Sequence, residues 1–335
     1  MPGSLSHYCQ GFIRAGEVWP MLPLADPPEL GWWQALVASS GDEALTGEPL
    51  LEELEAALPQ LRLPQVAGIS GSGLYKALVL RGEVAAGRLD WQEPGGLKLW
   101  IAPHPCGAMP VLETPNWSDF VQLVRALAHR GEPVGLADGT HAQAISGLIH
   151  WGLIHQFGRW SRARLIVLHQ APYGSVPARG VPVELGALGE EAWLAASSRL
   201  RLEHELTHLA TKRLLGEMRL NLLDELIADC MGMVAALGRF SSDLFGRCLG
   251  VDRPNGRWTT YTRELSEADG RAALGLTMGR ARELETLLLE HPWMLDNHQS
   301  MGRLQWLCQQ RLDVPISQCI KSDHNKRRTP EASDV

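Results

Sequence analysis

Helical spacing of apolar residues dominates the second half of this 335-residue chain and limits the folds open to it. From Glu190 almost to the end, apolar side chains recur three or four positions apart, the period of an amphipathic helix. Before that point, proline and glycine interrupt shorter runs, as in turns between short elements. The pattern predicts an α+β fold. We expect a mixed part with short strands and helices at about residues 1–160, a helix-rich part at 161–320 and a disordered tail at 321–335.

The mixed part gives several local predictions. They are a helix around 48–58, short strands within 85–115, a helix capped by Asn116 or Ser118, a second helix over 140–157, and a strand over 163–169. The second helix would carry His141, His150 and His155. Because His150 and His155 are five positions apart, they do not share a helix face, and we interpret these histidines as packing or surface residues.

The helix-rich part contains the pattern HExxH, formed by His204, Glu205 and His208. Good helix formers surround it, Ser197 or Ser198 could cap the helix, and Gly216 would end it. Residues four apart lie on one face of a helix, so the two imidazoles can each give a nitrogen to one zinc ion. Glu205, one step round the helix, could then reach a water molecule on that ion.

A second acidic pattern, DELIAD, begins at Asp224 and lies on the next predicted helix. A hairpin between the two helices would bring it back to the histidines. Two histidines and a glutamate form one of the known ligand sets of catalytic zinc, which makes Glu225 the candidate third ligand. Asp229 lies one turn further along the same face, where its carboxylate could accept the outer N–H of a ligand histidine.

Over residues 199–230 the sequence resembles the gluzincin metallopeptidases, the thermolysin-like group, which combine HExxH with a glutamate in an (N/D)ExxxD motif on the following helix. The residues that carry the resemblance are His204, Glu205, His208, Glu225 and Asp229. It implies a zincin-like active-site helix and a glutamate helix, with Zn²⁺ bound by the two histidines and Glu225 and with Glu205 as general base. It also implies an upstream edge strand that binds extended peptide, a role for which RLIVLHQ is suitably placed.

The chain departs from related patterns at two points. The metzincin pattern HExxHxxGxxH is excluded, because Thr211 and Leu214 stand where it needs glycine and histidine. The donor that stabilises the transition state in gluzincins, a Tyr or His after the glutamate helix, has no fixed counterpart. Tyr261 is best placed by chain order and is our candidate catalytic donor, with Arg257, His291 and His298 as further candidates.

The main functional hypothesis is a zinc-dependent hydrolase, first of all a peptidase, that acts on a peptide or protein substrate with Glu205 as general base. Its alternative is a non-catalytic zinc-containing binding or regulatory protein on a gluzincin scaffold. A non-peptide amide or ester substrate also fits the motif. A helix hairpin whose histidines and carboxylates form hydrogen bonds without any metal would give the same pattern.

Composition excludes other classes of function. The chain has 31 Lys and Arg against 38 Asp and Glu, a net charge of −7, so no overall positive field would attract nucleic acid or an anionic membrane. No apolar run approaches the roughly 18–20 residues that span a bilayer, and no basic-then-apolar start is present. Six scattered cysteines without a CxxC pair are typical of reduced thiols. We therefore expect a cytoplasmic protein.

Overall fold

The computed structural model describes residues 4–316, except for 40, 42–43, 84–86, 88, 137–138 and 150–161. The chain forms two units, one made of Met21–Ala171 and the other of Met1–Pro20 together with Pro172–Val335. The first helix, α1 (Leu5–Tyr8), thus belongs to the same unit as the C-terminal half. The predicted tail, 321–335, lies outside the described residues.

The unit Met21–Ala171 contains a five-stranded mixed sheet. Its strands are β1 (Leu45–Thr46), β2 (Lys98–Ala102), β3 (Met109–Thr114), β4 (Ala142–Ile149) and β5 (Arg162–His169). They lie in the order β1-β2-β3-β5-β4, with β3 and β5 parallel and the other pairs antiparallel. All six residues of β3 are buried, as expected of a strand inside a sheet.

The sheet packs against helices that precede and follow β3. They are α2 (Leu30–Ala38), α3 (Gly47–Ala57) and α5 (Trp117–Leu127). A three-residue helix between α3 and α5, α4 (Gly73–Tyr75), runs into a π-helical turn at Lys76–Leu80 and belongs to a separate small core. The Asn116 side chain accepts hydrogen bonds from the backbone N–H groups of Ser118 and Asp119, so Asn116 is the cap of α5. Leu50, Leu99, Leu112, Phe120 and Val167 belong to the shared core. Together with the helix-rich second unit, this arrangement confirms the α+β fold.

The prediction of a helix over 140–157 is wrong for its first half, because Ala142–Ile149 form the strand β4. A bulge between Ser146 and Leu148 shifts the register of β4 against β5. The extra residue lets Ile145 and Leu148, three positions apart, both enter the core, and this spacing imitates a helix in the sequence. His141 lies just before the strand, with its Nδ1 atom 2.9 Å from Nδ1 of His169. His150 and His155 lie outside the described residues.

The segment RLIVLHQ does not form an edge strand. Its residues belong to β5, which pairs with β3 on one side and with β4 on the other. Both rows of backbone hydrogen-bonding groups are therefore used within the sheet, and an added peptide strand has no place there. The role implied by the resemblance is therefore wrong for this strand.

The other unit is helical. Besides α1 it contains α6 (Glu190–Leu215), α7 (Leu222–Leu237), α8 (Ser242–Leu249), α9 (Trp258–Tyr261), α10 (Glu267–Glu290) and α11 (Ser300–Cys308). Gly216 ends α6 in the left-handed conformation, with φ of 75°, as the sequence predicts. The predicted caps Ser197 and Ser198 are wrong, because α6 begins seven residues earlier. Its acidic first turn, Glu190 and Glu191, complements the helix dipole there.

Helices α6 and α7 approach each other closely at Gly232 on α7. A Cβ atom at that position would lie 2.7 Å from the carbonyl oxygen of Leu200 on α6. Real Cβ atoms do not approach a backbone oxygen so closely, so the helices can keep this separation only with glycine here. Gly275 on α10 is the opposite case, since a Cβ there would meet nothing within 4 Å.

We expect Gly232→Ala to lower the free energy of unfolding by about 1–3 kcal/mol, because the two helices must separate to admit the methyl group. The matched variant Gly275→Ala should raise it by about 0.5–1 kcal/mol, because alanine restricts the unfolded chain without a clash. Chemical denaturation of both variants measures this. An undiminished stability of Gly232→Ala would show that the helices do not pack at this separation.

Among the described residues, no helix combines the length and the apolar character needed to cross a membrane.

Candidate metal centre

The centre begins with two histidines on α6. His204 and His208 lie one helical turn apart, and only 6% of each residue is exposed. Their Nε2 atoms are 3.0 Å apart, so both rings turn the same nitrogen toward one point. The HExxH spacing thus places both imidazoles on one face of α6, where their rings meet edge to face.

Glu225, on the first turns of α7, supplies the third group. Its Oε1 atom lies 3.3 Å from His208 Nε2, and its Oε2 atom lies 3.6 Å from His204 Nε2. Two ligand atoms arranged tetrahedrally about 2.0–2.1 Å from one zinc ion are about 3.3 Å apart. The observed separations, 3.0 Å between the two histidines and 3.3 and 3.6 Å from them to two different oxygens of Glu225, lie close to that value. The three buried side chains could therefore hold a metal ion.

The outer nitrogens of both imidazoles face carboxylates on α7. His204 Nδ1 lies 2.7 Å from Asp229 Oδ1, at hydrogen-bond distance. His208 Nδ1 lies 3.3 Å from Asp224 Oδ1, which is an ion-pair distance, but the geometry of this contact is not that of a hydrogen bond. A carboxylate beside Nδ1 favours the tautomer with the proton there, which leaves the Nε2 lone pair for a metal. The sequence predicts the position of Asp229 in this arrangement.

Asp224 is a partner that the sequence reasoning missed. It directly precedes Glu225. The backbone N–H of Asp224 donates a hydrogen bond to the Asn221 side chain at 3.0 Å. Its Oδ2 atom accepts a second bond from the backbone N–H of Leu220. The adjacent Asp224 and Glu225 of DELIAD could have indicated this contact. Neighbouring residues on a helix point about 100° apart, so their two carboxylates can approach the two nitrogens of one histidine, here His208.

Tyr173 is a second residue that sequence reasoning missed. It lies in a short 3-10 turn, Tyr173–Ser175, and is 96% buried. Its hydroxyl donates to Asp229 and lies 2.9 Å from His204 Nδ1. Burial, together with the Asp229 carboxylate, raises the pKa of Tyr173 well above its ordinary value, so the phenol stays protonated. No periodic pattern links it to HExxH, 31 residues further along, and the sequence held no signal for it.

Tyr261 and Arg257 lie beside Glu225. Arg257 Nη2 donates to the Tyr261 hydroxyl at 3.0 Å and is 3.9 Å from Glu225 Oε2. Burial and the Glu225 charge raise the pKa of Tyr261. Tyr261 thus reaches the region of the candidate ligands, and Arg257 accompanies it. The other two candidates stand apart from these contacts, His291 at the end of α10 and His298 on the exposed surface.

Electrostatic coupling is strong between the candidate ligands. Burial alone would lower the pKa of His208, but the Asp224 and Glu225 carboxylates outweigh it and raise that pKa well above its ordinary value. Burial alone would raise the pKa of Glu225, but His204, His208 and Arg257 lower it to about 2. The glutamate is therefore an anion in the folded protein, which is the form that binds a metal.

Glu205 follows His204 on α6 and is half-buried. Its carboxylate forms no hydrogen bond or ion pair with any of the residues that the structure describes. It is therefore available to a solvent molecule or a ligand, unlike Asp224 and Asp229, which are engaged with the histidines.

A comparison with known families gives one match. The model of a family described as "Family of unknown function (DUF7005)" matches residues 5–164 and 159–317. The chain belongs to this family. The two matched segments together cover both units, including the whole of the α6–α7 hairpin. No curated protein and no solved structure matches the chain.

We expect Tyr173→Phe to weaken zinc binding by about tenfold, because outer partners of this kind orient the ligand histidine. The phenyl ring keeps the packing and only the hydroxyl is lost. Competition with a chromophoric chelator measures the zinc affinity. Tyr75→Phe, a matched change in the other unit, should leave it unaltered. Equal zinc affinity in Tyr173→Phe and the unaltered protein would show that the hydroxyl does not orient His204.

Proposed function

We propose that this protein is a zinc-dependent hydrolase and, more specifically, a peptidase. The observation that carries the proposal is the buried group His204, His208 and Glu225, whose Nε2 and carboxylate oxygens converge on one point. Structural zinc sites in proteins usually have four protein ligands, whereas catalytic sites have three and keep a fourth position open. Two histidines and a glutamate form one of the known catalytic sets.

Zinc is the metal that this ligand chemistry favours, since two imidazoles and one carboxylate are typical of its catalytic sites. Held there, the ion would supply Lewis acidity, which lowers the pKa of bound water and polarises a carbonyl group. The chain's own residues place Asp229 and Asp224 beside the outer nitrogens of the two imidazoles, and they keep Glu225 ionised.

Glu205 would act as general base. Its carboxylate is free of partners among the described residues, and it adjoins a ligand histidine on α6. In this role it accepts a proton from the attacking water and returns it to the leaving amine. Tyr261 and Arg257 offer a hydroxyl and a guanidinium beside Glu225, and we propose that Tyr261 donates to the oxyanion that develops on the substrate.

We also propose a cytoplasmic location. Cys9, Cys230 and Cys248 are buried thiols that form no disulfide, which is usual for proteins of a reducing compartment.

A mixed peptide library tests the function. The zinc-loaded full-length protein should produce new peptide termini, detected by mass spectrometry. A chelator should abolish them, and added zinc should restore them. No cleavage by protein shown to hold zinc would contradict the peptidase proposal and favour a binding or regulatory role for the centre.

A further inference from the structure

The sheet unit contains a cavity of about 350 Å³. The last turn of α5 and strand β4 line it, together with Tyr75 from α4. Small-molecule sites in proteins have volumes of about 300–1,000 Å³, so the cavity is large enough for a small metabolite. None of its lining residues belongs to the metal centre, which lies in the other unit.

Tyr75 brings a phenol to the lining of this cavity. Only 7% of the residue is exposed, yet its hydroxyl forms no hydrogen bond with any of the described residues. Its backbone N–H donates to Ser72 Oγ, so the start of the helix is fixed. The hydroxyl oxygen is accessible to solvent, so a ligand in the cavity could replace water as its hydrogen-bond partner.

The permanent charge at the cavity is positive. Arg130 and His129 line it, and no lining residue is an aspartate or a glutamate. Arg130 forms no ion pair within the described part of the chain. Burial raises the pKa of Tyr75, and Arg130 lies close enough to oppose that rise in part. A guanidinium without a carboxylate partner, at the mouth of a polar cavity, favours an anionic ligand.

The backbone holds Arg130 in a conformation that non-glycine residues seldom adopt. Its φ angle is 57°, and the next residue, Gly131, has φ of 82°. Glu132 then anchors the loop, since its carboxylate accepts hydrogen bonds of 2.8 Å from the backbone N–H groups of Gly68 and Ser70. Such strain persists only where surrounding contacts impose it, and it is common at ligand sites.

We propose that this cavity binds a small anionic molecule, with its phosphate or carboxylate group on Arg130 and a polar group on the Tyr75 hydroxyl. The site is separate from the metal centre in both residues and chemistry. It would give the protein a second ligand, so that the sheet unit is a binding unit in its own right.

Calorimetric titration at low ionic strength tests this proposal, with inorganic phosphate and citrate as the two probes. Low salt matters because Arg130 is exposed and its field is screened. At least one probe should bind the full-length protein with a Kd of about 1 mM or below. Stronger binding of phosphate would assign a phosphate ligand, and stronger binding of citrate a carboxylate.

Four variants locate the binding. Arg130→Gln should weaken it at least about tenfold, because it removes a charge-assisted hydrogen bond, and Tyr75→Phe should weaken it about fivefold. Arg81→Gln, an exposed arginine of the same unit, should leave binding unchanged, as should Arg271→Gln, an exposed arginine of the other unit. The proposal is overturned if neither probe binds, or if Arg130→Gln and Tyr75→Phe both bind as the unaltered protein does.

Discussion

Glu205→Gln should retain its zinc and lose hydrolysis by a factor of about 10²–10⁴, the usual contribution of a general base. The amide has nearly the shape of the carboxylate, so α6 and the candidate ligands His204 and His208 should be undisturbed. It cannot accept a proton at neutral pH, however, and the attacking water would then keep its proton. Zinc content by elemental mass spectrometry and the rate of peptide cleavage are the two measurements.

The control for this variant is Glu191→Gln. Glu191 lies on the same helix, in its exposed first turn, far from the two histidines. Its replacement by glutamine removes one negative charge, as Glu205→Gln does. It should keep both zinc and activity. If Glu205→Gln cleaved peptides at the rate of Glu191→Gln, Glu205 would not be the general base, although the metal site could still stand.

The α6–α7 hairpin could be predicted from sequence because its signals are local. HExxH fixes two residues on one helix face, Gly216 provides a left-handed end, and a short connection returns the chain to Glu225. Asp229 follows from the same periodicity. The helical spacing was therefore enough to predict both the fold of this part and the grouping of its candidate ligands.

Long-range contacts were beyond the same reasoning. Tyr173 reaches His204 from a 3-10 turn, and only the packing of the whole unit brings them within 2.9 Å. The strand β4 was mistaken for a helix because a bulge gives Ile145 and Leu148 the spacing of helical neighbours. The interior position of β5 depends on pairing with β3, which is nearly fifty residues earlier in the chain. No local pattern contains this information.

Removal of Glu225 should have the largest effect on the metal. It is one of the three candidate ligands found among the described residues, and its anionic form is stabilised by both histidines. Without it the two imidazoles alone would bind zinc far more weakly. Glu225→Gln keeps the volume of the side chain, so a loss of metal can be separated from a collapse of the packing. Glu225→Ala removes the group entirely, and circular dichroism would verify that both variants fold.

The central claim is a metal centre at His204, His208 and Glu225. The most direct test is elemental mass spectrometry of full-length protein purified with zinc present, beside the two Glu225 variants and Glu191→Gln as control. We predict about one zinc ion per chain in the unaltered protein and in the control, and far less in both Glu225 variants. Folded, unaltered protein without bound metal would contradict the claim, and the histidines and carboxylates of the hairpin would then form only a buried polar cluster.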